Sequence, residues 1–168
     1  MATTSYAIAL GSNRRHGRYG APRRVITAAA AAVARLGTVE RLSSVRPTAA
    51  IGPAGRAFAY AVLILATDLG PAELLAALKQ IERNFGRRPG RRWGPRVLDL
   101  DIILWSGGCW ADKGLIVPHP GMRERRFVLD PLAEIAPDWR DPITGASVRQ
   151  LAFRKHRPVA VDPRTAGS

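Results

Sequence analysis

Asp99 and Asp101 stand two residues apart in Val97-Leu-Asp-Leu-Asp-Ile-Ile-Leu104, a segment whose other members are all apolar. Side chains alternate along a strand, so the two carboxylates share one face. Leu98, Leu100, Ile102 and Leu104 are then expected on the other, toward the core. Two neighbouring acids on an apolar strand are costly unless something positive lies between them. At this spacing their Cβ atoms are roughly 7 Å apart. Both carboxylates can then swing onto one metal ion, or bracket a pair about 3.5–4 Å apart. A small number of hard oxygen donors suits Mg²⁺, which keeps waters and takes its remaining ligands from phosphates. The same alternation also describes an ordinary solvated strand face.

The preceding loop weights the choice. Six arginines and no lysine fall between positions 83 and 96: Arg83, Arg87, Arg88, Arg91, Arg92 and Arg96. Guanidinium forks grip phosphate oxygens in bidentate fashion. Gly86, Pro89, Gly90, Gly94 and Pro95 let this loop bend around a ligand before it enters the Asp strand. A cationic loop beside a two-acid metal site can hold a magnesium–polyphosphate complex. Other phosphate signatures are missing: there is no GxxxxGK[ST], and no GxGxxG follows the first strand. Nucleophile signatures are missing as well, and Cys109 in Gly-Gly-Cys-Trp110 has no nearby His. His16, His119 and His156 do not lie at zinc-ligand spacing. His119, between Pro118 and Pro120, is either a phosphate donor or a surface-turn histidine. Trp93 either stacks on a flat ring or pins the loop. Phe127, beside Arg125 and Arg126, is either a ring-stacking lid or the first core residue of a helix.

The chain has 168 residues, with 26 Lys+Arg against 13 Asp+Glu for a formal net charge of +13; 23 of the cations are Arg and three, Lys79, Lys113 and Lys155, are Lys. This length suits one domain, expected over 1–153, with a loose tail over 154–168. A single cysteine excludes an internal disulfide framework and fits a cytoplasmic location. No secretory signal is visible at the start, and the longest apolar run, Ala57 to Ala66, is too short to span a bilayer. The charge calls for an anionic partner: nucleic acid, an anionic membrane or a phosphorylated small molecule. A GC-rich genome would also inflate Arg, Ala, Gly and Pro together. A nucleic-acid face would have little use for Asp99 and Asp101, which repel phosphate unless a metal intervenes.

The elements that must position these residues read as follows. Tyr6–Leu10 is a strand ended by Gly11-Ser-Asn13. Pro22 opens an alanine-rich helix that stops near Gly37. Val39–Arg46 is a second strand and Pro47–Gly55 a loop. Phe58–Thr67 is a third strand, apolar on both faces and therefore central. Pro71 and Glu73 open a helix whose Leu74, Leu75, Leu78, Ile81 and Phe85 follow at helical spacing. Leu98–Leu104 and Leu115–Val117 are strands, and Phe127–Ile135 a last helix. The order strand, helix, strand, strand, helix, strand is that of a ferredoxin-like βαββαβ α+β sandwich. Its sheet is expected to be antiparallel, with helices packed on one face.

Four segments together resemble a known family. They are Tyr6-Ala-Ile-Ala-Leu-Gly-Ser-Asn13, Arg92-Trp-Gly-Pro-Arg-Val-Leu-Asp-Leu-Asp-Ile102, Val117-Pro-His119 and Arg125-Arg-Phe-Val-Leu-Asp-Pro-Leu-Ala-Glu-Ile-Ala-Pro137. In this order they are similar to the 6-hydroxymethyl-7,8-dihydropterin pyrophosphokinases of folate biosynthesis, over about Tyr6 to Leu151. The resemblance implies transfer of a pyrophosphoryl group from ATP to the pterin hydroxymethyl oxygen, with release of AMP. It implies two Mg²⁺ ions on Asp99 and Asp101. It places Gln80, Glu82, Arg87, Arg92, Arg96, Ile102, His119 and Arg125 at ATP, with Arg87 and Arg96 acting in catalysis. It places Thr48, Ile51, Gly52, Phe58, Tyr60, Trp93 and Phe127 at the pterin. Small-molecule substrates, no nucleic acid, no membrane and a monomeric, cytoplasmic enzyme go with it.

Three positions depart from the family pattern. Tyr60 stands where an Asn amide usually reads the pterin edge. Tyr keeps a hydrogen-bonding tip but cannot present the paired donor and acceptor of an amide. The Thr-x-Pro-x-Gly loop appears as Thr48-Ala-Ala-Ile-Gly52, without its proline, and Gly114 takes a position that is often Arg. An enzyme of the same fold with another small hydroxymethyl acceptor is therefore the second reading, and a basic nucleic-acid-binding module the third.

Overall fold

A strand that is apolar on both faces needs cover on both sides, and two segments have that character. They are β1 (Thr4–Ser12) and β4 (Phe58–Thr67). The computed structural model describes residues 2–12, 20–48, 58–86 and 97–156. In it, β1 and β4 pair antiparallel at the centre of a five-stranded sheet. β5 (Asp99–Trp105) closes the sheet on the far side of β1, while β2 (Thr38–Leu42) and β3 (Arg46–Thr48) both pair with β4. All of these pairings are antiparallel. The expected second strand, Val39–Arg46, is thus two strands parted at Ser43–Val45. Pro47 and Thr48, expected in a loop, belong to β3.

Two of the helices open on a residue suited to a first helical turn. α1 (Pro22–Val33) and α2 (Pro71–Gly86) both start on proline, where the missing N–H costs nothing. Glu73 in the first turn of α2 and Arg83 in its last turn complement the helix dipole. Beyond α1 a single 3-10 turn leads to Gly37, where a Cβ would run into the Ala66 carbonyl oxygen. Only glycine lets the chain pass β4 that closely.

Tyr6, Ile8 and Leu10 of β1 pack with Val25, Ile26, Leu74 and Leu78 of α1 and α2 in one buried cluster. The opposite face carries a second cluster, in which Ala7, Val62 and Ile64 meet α3 (Arg126–Ile135) and α4 (Val148–His156). Helices therefore cover both faces of the sheet, not one. α4 is the element that sequence periodicity does not disclose: Val148, Leu151 and Ala152 are buried, but Phe153 is 71% exposed. The docked chain runs to His156 and so enters the segment expected as a tail; residues 157–168 lie outside those described. Leu104 is a further correction. The β1–β5 register shifts between Ala7 and Ile8, so Ile103 and Leu104 both join the second cluster while Leu98, Leu100 and Ile102 stay in the first. The strand expected at Leu115–Val117 is β7 (Ile116–Val117), paired with β6 (Trp110–Ala111). Among the described residues no helix is long and apolar enough to cross a membrane.

One buried ion pair ties the second helical layer to the chain before α3. Asp141 is 1% exposed and takes two hydrogen bonds from the Arg123 guanidinium, at 2.6 and 2.8 Å. The Ile143 N–H and the Thr144 hydroxyl also donate to it. Burial alone would raise the Asp141 carboxyl, but these donors and the Arg123 charge outweigh it and hold the pKa at about 2. The folded value lies below the roughly 3.9 of an unfolded Asp, so folding favours the ionised form. Asp141→Asn is expected to lower stability by about 2–3 kcal/mol near neutral pH, since it strands a partly buried guanidinium. The difference from wild type should be full above about pH 4 and should vanish as pH falls through about 2. Denaturant unfolding of both proteins across that range checks it; a difference that does not shrink in acid would contradict the assignment.

Candidate functional site

Register places the site before any side chain is considered. Gly11 of β1 lies between Tyr60 of β4 and Asp99 of β5, and Ala9 lies between Val62 and Asp101. Residues directly opposed in an antiparallel ladder share a face. One end of the α3-side face therefore carries two carboxylates on one flank and an aromatic ring on the other. Between them β1 contributes only a glycine and an alanine. A Cβ on Gly11 would stand 3.1 Å from the Phe58 ring, so any larger residue there would press on that ring. Asp99 and Asp101 are both half-buried.

The start of α3 supplies the roof. Phe127 is 38% exposed and meets Phe58 and Tyr60 edge-on, with ring centroids 6.2 and 6.0 Å away. Phe58 and Tyr60 are themselves 6.1 Å apart. Phe127 is thus an outward-facing ring at the helix start, and Val128 and Leu129 are the first buried residues of α3. The Arg125 guanidinium lies 5.7 Å from the Phe127 ring centroid, within cation–π range.

His119 is held at two points. Its N–H donates to the Ile103 carbonyl of β5 at 2.9 Å, and its Nδ1 accepts the Gly121 N–H at 2.9 Å. Burial lowers its pKa; Arg125 lowers it further and Asp101 opposes both. A neutral ring that accepts at Nδ1 carries its proton on Nε2, leaving that atom as the free donor.

A cleft of about 340 Å³ runs beside the outer edge of β5. Leu75, Lys79 and Glu82 of α2 form one wall, Asp112, Lys113 and His119 the other, and Asp101 and Ile102 its inner side. Asp112 shapes the outer wall by accepting the Gly114 and Leu115 N–H groups at 2.9 and 3.0 Å. Two of the chain's three lysines line this cleft, in a protein whose other 23 cations are arginines.

Of the residues expected in the site, Asp99, Asp101, Phe58, Tyr60, Phe127, Arg125 and His119 come together at this end of the sheet. Glu82 and Ile102 join them through the cleft. Gln80 does not line the cleft: it is exposed on α2, donating to Asn84 and accepting from Arg83. Thr48 ends β3 opposite Phe58. Ile51, Gly52, Arg87, Arg92, Trp93 and Arg96 lie outside the described residues. Motif reading missed Leu75, Lys79, Asp112 and Lys113. The scarcity of lysine was the available signal for two of them.

The carboxylate pair suits a hard divalent cation, since it offers two oxygen-donor side chains on one face with no bulky residue opposite. Among the described residues no three His, Cys, Asp or Glu side chains gather around one point. An ion on Asp99 and Asp101 would complete its shell with water and ligand oxygens.

This fold and site define a class before they define a family. By backbone the chain is similar to the Plasmodium falciparum HPPK-DHPS triple mutant, with a TM-score of 0.72 at 13% identity, over 91% of this chain and 44% of that one. That likeness is one of fold. The family model described as 7,8-dihydro-6-hydroxymethylpterin-pyrophosphokinase (HPPK) matches residues 7–137, and the chain belongs to that family. Curated relatives share the name 2-amino-4-hydroxy-6-hydroxymethyldihydropteridine pyrophosphokinase. The one from Synechocystis sp. is 46% identical over 67% of this chain and 58% of its own length. That from Pseudomonas aeruginosa is 45% identical over 80% and 82%, and that from Haemophilus influenzae 36% identical over 95% and 99%.

Asp99→Asn and Asp101→Asn are each expected to weaken Mn²⁺ binding in the presence of ATP by roughly tenfold or more. Loss of a mere supporting residue already costs that much at metal sites. Calorimetric titration checks it, and unchanged affinity in both variants would remove the carboxylate pair from the metal.

Proposed function

We propose that this protein transfers the terminal pyrophosphoryl group of MgATP to the hydroxymethyl oxygen of 6-hydroxymethyl-7,8-dihydropterin, giving the pterin diphosphate and AMP. The observation that carries this reading is the shared sheet face, in a chain of this family. Asp99 and Asp101 stand across Gly11 and Ala9 from the Phe58–Tyr60–Phe127 rings, so a metal–phosphate complex and a flat acceptor meet there. The hydroxymethyl oxygen forms a bond to the β-phosphorus as the bond from that phosphorus to the α-phosphate oxygen breaks. AMP leaves, and the hydroxyl proton is released.

When bound, two Mg²⁺ ions neutralise phosphate charge and align the transferred group. The chain's own part is positioning and electrostatics. Lys79 and Lys113 supply point charges along the cleft, next to Ile102 and Leu75, which offer apolar surface to a base. His119 presents Nε2–H, and Arg125 a guanidinium, to phosphate oxygens. Phe58 and Phe127 hold the acceptor ring by stacking and edge contacts. Arg87, Arg92, Arg96 and Trp93 are assigned to ATP and to the pterin by their motif positions, as are Thr48, Ile51 and Gly52. No covalent intermediate is needed. We assign the working form as a monomer in the cytoplasm.

The test is to incubate the protein with MgATP and the dihydropterin and resolve the nucleotides. AMP should appear in step with pterin diphosphate; ADP as the main product would contradict pyrophosphoryl transfer.

Tyr60 favours a second reading, the same chemistry on another small hydroxymethyl acceptor. It packs into the aromatic trio where an amide would otherwise read the pterin edge. If Tyr60 weakens pterin recognition, Tyr60→Asn should tighten pterin binding by about tenfold, the worth of one well-made hydrogen-bond pair. Unchanged or weaker binding, measured by equilibrium titration, would remove Tyr60 from the pterin-reading position and with it the ground for an altered acceptor.

A further inference from the structure

Gly121 has φ −88° and ψ −1°, a conformation open to any L-residue, so the backbone does not call for glycine there. Arg125 does. A Cβ on Gly121 would stand 2.7 Å from Arg125 Nε, 3.0 Å from Cζ and 3.2 Å from a terminal nitrogen. The guanidinium therefore rests against the bare Cα of Gly121 and lies 5.7 Å from the Phe127 ring centroid. The same glycine donates its N–H to His119 Nδ1. The turn that follows is fixed from the other side by the Arg123–Asp141 pair. Backbone bonds from Met122 to the His119 carbonyl and from Val128 and Leu129 to the Arg125 carbonyl close the segment into one unit.

We propose that Gly121 is a positioning residue for the phosphate-binding donors. Its missing side chain seats the Arg125 guanidinium, and its N–H orients the His119 ring, so the triphosphate meets both groups in fixed places. This rests on the reading above that Arg125 and His119 contact ATP. The device works without rigid packing of Arg125 itself, which is exposed and would otherwise sample many rotamers.

Gly121→Ala separates positioning from stability. It keeps the N–H to His119 and suits the backbone, so the Tm should hold or rise slightly. The new Cβ displaces only a flexible guanidinium. MgATP binding, titrated without acceptor, should weaken roughly tenfold or more, the worth of a hydrogen bond to a charged group. Arg125→Ala should weaken it at least as much, and adding Gly121→Ala to Arg125→Ala should cost nothing further. Normal binding by Gly121→Ala beside impaired Arg125→Ala would overturn the positioning role and leave the ATP reading standing. An equal loss from Gly121→Ala in both backgrounds would show that it does not act through Arg125. Normal binding by Arg125→Ala would instead remove Arg125 from the phosphates and take this proposal with it.

Discussion

The structure depends on holding two carboxylates side by side on a sheet face and leaving the strand beside them nearly bare. β1 meets that demand through a division of its residues. Tyr6, Ile8 and Leu10 fill the core beneath α1 and α2, while Ala7, Ala9 and Gly11 face the other way. Bulk on one face anchors the strand at the centre of the sheet. Its absence on the other lets α3 pack near Ala7 and leaves space beside Asp99 and Asp101. A larger side chain at Gly11 would press on the Phe58 ring, which lies 3.1 Å from where its Cβ would stand. The aromatic side and the carboxylate side thus share one narrow spacer.

The second helical layer follows from the same arrangement. With small residues on β1, the far face of the sheet offers Val62, Ile64, Ile103 and Leu104, and the bulge in the β1–β5 register adds the last of these. α3 and α4 cover them, and the Arg123–Asp141 pair fixes where α3 starts. Lys155 to Glu124 and His156 to Asp130 tie the end of α4 to the same region. These two pairs are more exposed and contribute less than the buried one. Arg125 and Phe127 thereby sit between a strongly held turn and a packed helix, although both are exposed themselves. Mobile-looking side chains gain a definite place from the elements on either side.

Much of this was legible in the sequence, for physical reasons that vary by element. β4 and α2 were readable because continuous apolar runs and a proline start are local signals. The shared face of Asp99 and Asp101 was readable because side chains alternate along a strand. α4 was not readable from periodicity, since Phe153 points to solvent and the helix has nine residues. Its start did carry a local signature: Ser147 and Gln150 form a capping box, with Gln150 N–H on Ser147 Oγ and Ser147 N–H on Gln150 Oε1. The inversion of Leu104 had no such marker, because a bulge depends on how two strands pair. Lys79 and Lys113 stood out by type but not by place, since only the fold brings α2 beside the turn at Asp112–Leu115.

That last point reframes the charge of +13. Arginine is the default cation of this chain, so an arginine on the surface says little by itself. A lysine stands out against that background, and two of three line the cleft beside Asp101. An ammonium is a compact, strongly hydrated point charge on a flexible stem, whereas a guanidinium is a planar fork. Phosphate along an open cleft can be met by the first, while a phosphate that must be oriented is better met by the second. Arg125, seated on Gly121 beside His119, is of the second kind. On the proposed reading the two kinds of cation divide the work: the lysines that line the cleft attract a triphosphate, and Arg125, outside that lining but close to His119, orients it.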